Sequence, residues 1–80
     1  MAQPGEIYPG IVVDPAIVHG KPVIAGTRIP VAVVLGQLAG GVGFGESERE
    51  CGLDRVRIRS ALGYAAQIVS SESVNAVAGD

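Results

Sequence analysis

Residues 19–41 read HGKPVIAGTRIPVAVVLGQLAGG, and they decide the fold of this 80-residue chain. The stretch begins with a turn and continues with a short β-favouring pair that Gly26 closes. Pro30 then predicts the start of a helix, because its fixed φ and missing N–H suit the first helical position. The apolar residues that follow have the i, i+3, i+4, i+7 spacing of one helix face: Val31, Val34, Leu35 and Leu38. Two consecutive glycines at residues 40 and 41 predict its end.

A β segment precedes this helix. Its short extended pieces are residues 11–13, 17–18 and 23–24, and Asp14 and Pro15 stop the first of them. Pieces this short do not make an independent sheet. We therefore expect a small hairpin on the rest of the domain, or pairing of residues 11–24 with the same segment of a second copy. Residues 1–10 contain two prolines and two glycines and predict a flexible N-terminal arm, with Tyr8 as its anchor.

Two further helices are expected after residue 41. Residues 42–52 form a polar run without an apolar face, which is compatible with a short helix whose buried contacts are Cys51 and Leu53. Asp54 is a typical N-cap, and the helical pattern that follows ends near Val69 or Ser70. Its apolar face comprises Ile58, Ala61, Leu62, Ala65, Ala66 and Val69. Residues 71–80 are small and polar and predict a mobile tail.

The predicted fold is therefore mainly α, with a short N-terminal β segment and three helices in a helix-turn-helix-like unit over residues 11–70. A domain of this size buries only about 60–65% of its unfolded surface, so a lone chain is marginally stable. Unpaired strand edges add to that problem. We expect a two-fold homodimer.

Composition excludes several classes of protein. Six Lys and Arg against eight Asp and Glu, a net charge of -2, argue against a wholly basic nucleic-acid coat protein but leave room for a local basic patch. The lone Cys51 and His19 exclude an internal disulfide and a Cys/His zinc site, and we expect no metal and no cofactor. The sequence has no stretch of 18 consecutive apolar residues, the length that predicts a membrane-spanning helix. The N-terminus lacks the pattern of a secretion signal. We therefore expect a cytoplasmic protein without a membrane partner.

No catalytic residues are expected, and the chain is predicted not to be an enzyme. His19 lies on a turn without a Ser, Cys or second His to position it. The turn before the first helix has a structural explanation instead, in which Gly26 adopts a positive φ and Thr27 hydrogen-bonds exposed N–H groups. Arg28 can pair with a carboxylate, for which Asp14 is the natural candidate, across a dimer interface.

Three arginines stand out at the start of the last helix. Arg55, Arg57 and Arg59 occupy its first two turns, where the helix dipole disfavours cations by about 0.3–1 kcal/mol each. Three sources of compensation remain open. One is the acidic run before the helix, Glu46, Glu48 and Glu50. Another is DNA, because the N-terminal residues of the last helix of a helix-turn-helix enter the major groove. The third is an acidic protein partner whose carboxylates an arginine neutralises. Tyr64 lies about 20° from Arg57 on the helical wheel and completes the candidate DNA-binding set.

Several runs of this sequence resemble one bacterial family. They are the pair DP at residues 14–15, GKPVI at 20–24, GTRIPV at 26–31, LAGG at 38–41 and ALGYAA at 61–66. Together they resemble domain-of-unknown-function family 433, whose characterised relatives look like antitoxins of the VapB class. The resemblance implies a β segment that helps dimerisation, a homeodomain-like three-helix bundle, and a toxin–antitoxin role beside a PIN-like ribonuclease toxin.

The middle segment departs from that family pattern. The family usually has apolar residues and an aromatic-proline pair before the last helix, whereas this chain reads FGESERECGL over residues 44–53, with Glu50 and Cys51 in place of the pair. Two hypotheses about function follow. The chain is an antitoxin that binds a PIN-like toxin and its own promoter DNA, or it is a homodimeric protein-interaction module without DNA binding.

Overall fold

A computed structural model describes residues 5–71 of the chain. Three strands, β1 (Glu6–Tyr8), β2 (Ile11–Val12) and β3 (Val23–Ile24), precede three helices, α1 (Val31–Ala39), α2 (Phe44–Cys51) and α3 (Arg55–Ser71). The strands form one antiparallel sheet in the order β1-β2-β3. The predicted fold class, mainly α with a short N-terminal β segment and a three-helix unit, is confirmed.

The hairpin of β2 and β3 pairs Ile11 with Ile24 and Val12 with Val23, and all four side chains are buried. Two of the three predicted extended pieces, residues 11–13 and 23–24, thus contain strands. The piece at residues 17–18 does not, because Val18–Gly20 forms a single 3-10 turn. Val18 and His19 have φ values of 48° and 56°. These two residues therefore adopt the left-handed backbone conformation, which is unfavourable for residues other than glycine.

The prediction of a flexible arm over residues 1–10 differs from the structure. Residues 1–4 lie outside the described part, but Glu6–Tyr8 is strand β1, which pairs Glu6 with Val12 and Tyr8 with Ile11. Gly5 and Gly10 adopt positive φ, and Gly10 N donates to Glu6 Oε2 at 3.0 Å. Gly10 therefore shapes the hairpin turn between β1 and β2, a role that its local sequence does not distinguish from flexibility.

Helix α1 begins at Val31 and ends at Ala39. Pro30 is its N-cap, with an extended ψ of 141°, so the helix begins one residue later than predicted. Gly41 follows with a φ of 95°, and Val42 N donates back to the carbonyl of Gln37 at 3.0 Å. The buried core under α1 joins residues of the sheet, of α1, of α3 and of the turn between α2 and α3. Its members are Ile11, Ile24, Val31, Val34, Leu53, Ile58 and Ala61.

Helix α2 forms although its sequence is polar. Ser47 is fully buried, and its hydroxyl donates to Gln37 Oε1 of α1 at 2.7 Å. Phe44 and Cys51 are half-buried against the edge of the core, and Leu53 is buried just after the helix. A polar contact between helices therefore replaces part of the apolar face that α2 lacks.

Helix α3 begins as predicted, with Asp54 Oδ1 accepting a hydrogen bond from Arg57 N at 2.9 Å. Its predicted apolar face is only partly covered. Ile58 and Ala61 are buried, whereas Leu62 is 37% and Val69 65% exposed. The core stops halfway along α3. The predicted tail lies outside the described residues beyond residue 71. Between residues 5 and 71, no helix has the length and apolar run that a membrane crossing needs.

Candidate nucleic-acid interface at the start of the third helix

A tight turn joins α2 to α3. Gly52 ends α2 in the left-handed conformation, with φ 67° and ψ 30°. Leu53 N donates to the carbonyl of Glu48 at 3.1 Å, and the Leu53 side chain is buried in the core. Asp54 is exposed and caps α3. This connection fixes the first turn of α3 beside α2 while leaving its outer side open to solvent.

Arg55 is held by α2. Its Nε donates to Glu48 Oε2 at 3.3 Å and its Nη2 to Oε1 at 3.4 Å, a two-point contact with one carboxylate. The guanidinium also lies 5.1 Å from the centre of the Phe44 ring. The predicted compensation by the acidic run is thus confirmed for this arginine. Arg55 connects α2 to α3 rather than presenting a free cation.

Arg57 and Arg59 are exposed and form no salt bridge within residues 5–71. At about 100° per residue they project about 160° apart around α3. Val56 lies between them on the outer side of the helix and is 71% exposed. The start of α3 therefore presents an apolar tip with a cation on each flank. Val56 was missed by the sequence analysis, although its place opposite Ile58 on the helical wheel marks it as outward-facing.

Tyr64 does not belong to this surface. It lies seven residues beyond Arg57, which is about 10 Å along the helix axis. Its ring packs against Tyr8 of β1, with centroids 6.1 Å apart and an interplanar angle of 59°. The side chain is half-buried against the core. Tyr64 therefore contributes to the contact between sheet and helix.

The turn before α1 has the predicted geometry. Gly26 has a φ of 78°. Thr27 Oγ1 donates to the carbonyl of Ile24 at 2.8 Å and accepts from Ile29 N at 3.0 Å. Asp14 Oδ1 accepts from Ala16 N at 2.9 Å, and no salt bridge joins Asp14 to Arg28 within the described chain. Their contact across a dimer interface stays a prediction.

The described residues contain no group of three His, Cys, Asp or Glu side chains arranged to hold a metal ion. His19 is exposed on its left-handed turn. The Cys51 Sγ lies 3.5 Å from Gln37 Oε1, within the contact between α1 and α2. Within residues 5–71, neither side chain has a hydrogen-bond partner that would activate it as an acid, a base or a nucleophile.

No curated protein and no solved structure matches the chain. One family model does, and it covers residues 11–65. That range begins at β2, includes the Gly26 turn, α1, α2 and the Arg57–Arg59 surface, and ends within α3 where the buried face stops. Since these matched residues make up more than half of the sequence, the chain belongs to the family described as Protein of unknown function (DUF433).

Proposed function

We propose that this chain is an antitoxin-type protein. It forms a homodimer, binds a cognate PIN-like ribonuclease toxin, and binds its own promoter DNA through the start of α3. The toxin–antitoxin part has its support in the resemblance carried by the GKPVI and GTRIPV runs. The DNA-binding part has its support in one observation, the two exposed arginines that no carboxylate of residues 5–71 neutralises.

The geometry of those arginines suits a phosphate backbone. A cation near a helix N-terminus is disfavoured by the dipole unless an anion lies nearby. With α3 in a major groove, side chains about 160° apart reach the two opposite walls of the groove, where the phosphates are. Val56 between them then faces the base edges. An apolar side chain in that place suits the methyl group of thymine.

The surrounding charges set the strength of this interaction. Glu46, Glu50 and Asp54 are exposed on α2 and at the turn, so the surface is of mixed sign. Two phosphate contacts per chain predict a salt slope of about -1.8, and a dimer doubles it to about -3.6. We therefore expect modest affinity for a single chain and stronger binding when toxin or dimerisation joins two copies of α3 on one duplex.

The alternative is a homodimeric interaction module without DNA binding. The observation in its favour is that Glu48 already neutralises Arg55 and that acidic groups surround the turn between α2 and α3. In that case the start of α3 contacts an acidic protein surface. In both cases we propose no catalytic role, since His19 and Cys51 have no activating partner among the described residues.

Two measurements decide between these functions. Co-expression with the product of the adjacent gene, followed by purification through a tag on one protein, tests the toxin partner. An electrophoretic shift of the gene's own upstream DNA, with and without that product and at two salt concentrations, tests DNA binding. A stable complex and a salt-dependent shift support the antitoxin. A complex without any shift supports the interaction module, and absence of both contradicts the antitoxin proposal.

A matched pair of variants assigns the DNA contact to α3. Arg57→Ala should weaken promoter binding by about 1–3 kcal/mol if it contacts a base, or equally on all sequences if it contacts a phosphate. Arg28→Ala removes the same charge from the turn before α1 and serves as the control, provided that the variant has the same oligomeric state as the wild type. Equal loss in the two variants would indicate a general charge effect and would remove α3 from the proposal.

A further inference from the structure

Helix α2 contacts its two neighbouring helices through different sides. Phe44 and Glu48 lie one turn apart and face α3, because both contact Arg55. Ser47 faces α1, where its hydroxyl donates to Gln37. These contacts set the orientation of α2, so the side on which each of its exposed residues lies can be read from the spacing of about 100° per residue.

The exposed carboxylates of α2 lie on the side toward α1. Glu46 and Glu50 are each about 160° from Glu48 around the helix. The carboxylate of Glu50 also accepts a hydrogen bond from Gln37 of α1, with 3.4 Å between Nε2 and Oε1. The two acidic groups are therefore turned away from the contact between α2 and α3.

Arg49 occupies the other part of the exposed surface of α2. Its side chain is exposed and forms no salt bridge within residues 5–71. The guanidinium bends back along the helix, so that Nη1 would lie 3.7 Å from a Cβ on Gly45. Gly45 directly follows Phe44 and is about 60° from Glu48 around the helix. The cationic end of Arg49 therefore reaches toward the side on which α2 meets α3.

Arg59 has the corresponding place on α3. It lies one turn beyond Arg55 and about 40° from it around the helix, on the side away from the buried Ile58. Arg55 itself is neutralised by Glu48. Arg49 and Arg59 thus flank the contact between the two helices, and both are on its solvent side.

We propose that Arg49 is a third phosphate-binding residue of the DNA interface. This inference rests on the DNA binding of the proposed function and extends its surface from α3 to α2. With the start of α3 in a major groove, the preceding helix crosses the DNA backbone at the edge of the groove. Arg49 then reaches a backbone phosphate, while Glu46 and Glu50 face away from the duplex. A phosphate contact of this kind fixes the orientation of the protein and carries no sequence information.

The salt dependence of binding to the gene's own upstream DNA tests this contact. Three phosphate contacts per chain predict a log–log slope of about -2.7 in place of about -1.8. Arg49→Gln should return the slope to about -1.8 per bound chain, and should weaken binding about eightfold at about 0.1 M salt. The loss should be equal on unrelated duplexes. Fluorescence anisotropy of a labelled duplex gives the affinities, and titration of saturated duplex gives the number of chains bound.

Three further variants serve as controls. Arg49→Lys keeps the cation and should keep the wild-type slope. Arg28→Gln removes an equal charge from the turn before α1, and Glu46→Gln changes the side of α2 that faces away from the duplex. Both should also keep the wild-type slope. The thermal midpoint of Arg49→Gln should equal that of the wild type, because the side chain that it replaces is exposed.

The outcomes separate this contact from DNA binding itself. A wild type without salt-dependent binding, alone and with the adjacent gene's product, contradicts the DNA-binding function and the contact together. A wild type that binds DNA while Arg49→Gln keeps its slope overturns the contact alone. Equal losses for Arg49→Gln and Arg28→Gln would show a general charge effect and would also overturn it. Weaker binding of Arg49→Gln to the adjacent gene's product, with an unchanged slope on DNA, would assign Arg49 to an acidic protein surface instead.

Discussion

The hydroxyl of Tyr8 lies over Gly63, in the place that a side chain on Gly63 would occupy. This contact joins the first strand to the middle of α3, and the Tyr8 ring is tilted against Tyr64 of the same helix. A glycine inside a helix costs about 1 kcal/mol relative to alanine. Close approach of the Tyr8 ring explains why a glycine is suited to this position.

Replacing Gly63 tests that relationship. Gly63→Ala should destabilise the protein by about 1–3 kcal/mol, because the added methyl group displaces Tyr8 and overpacks the contact. In a Tyr8→Ala background the same substitution should stabilise by about 0.5–1 kcal/mol, since only helix propensity remains. Urea unfolding of the four proteins measures both values. An increase in stability in the wild-type background would show that Tyr8 does not constrain Gly63.

Gly26 and Gly36 form a natural matched pair. A Cβ at either position meets no atom within 4 Å, but Gly26 has a φ of 78° whereas Gly36 lies inside α1. Gly26→Ala should therefore destabilise by about 1–2 kcal/mol through backbone strain, and Gly26→Val by about 1–3 kcal/mol. Gly36→Ala should stabilise by about 0.5–1 kcal/mol. Thermal unfolding gives the two signs, and equal effects would contradict the assigned backbone conformation.

The effects of substitutions at Gln37 and Ser47 on the free energy of unfolding should be coupled. Gln37→Leu leaves the buried Ser47 hydroxyl without its 2.7 Å partner, so we expect a loss of about 1–3 kcal/mol. Adding Ser47→Ala should recover about 1 kcal/mol, because no unpaired polar group then remains. A denaturation double-mutant cycle measures this coupling. Strictly additive effects would mean that the two side chains do not depend on each other.

Arg55 and Arg57 should separate stability from binding. Arg55→Ala removes the contacts with Glu48 and Phe44 and should destabilise by at most about 1 kcal/mol, as an exposed ion pair does. Arg57→Ala should leave stability unchanged within about 0.5 kcal/mol. The affinity for promoter DNA should show the opposite order, with a larger loss of affinity for Arg57→Ala than for Arg55→Ala. Unfolding curves and the electrophoretic shift provide the two readouts, and a larger binding loss for Arg55→Ala would contradict the assignment.

Local chemistry made several parts of this protein predictable. The Pro30 helix start, the positive φ of Gly26 and the Asp54 cap depend on atoms within a few residues, and each lies within one residue of where the sequence predicts it. The pairing of Arg55 with Glu48 was also within reach, since a short turn joins their helices. The candidate site was predicted as a set of four residues, of which Arg57 and Arg59 are exposed and form no salt bridge within residues 5–71.

The sequence by itself determined the order of the elements, the α1 face and the positions of the turns, because periodicity and backbone preference act over short spans of chain. Tertiary structure decided what distant residues do to one another. It turned the arm around Tyr8 into a strand, gave the polar α2 a partner in Gln37, and moved Tyr64 from the DNA-binding set into the contact with the sheet. It also ended the core halfway along α3, because burial depends on which elements reach a helix and not on the pattern within it.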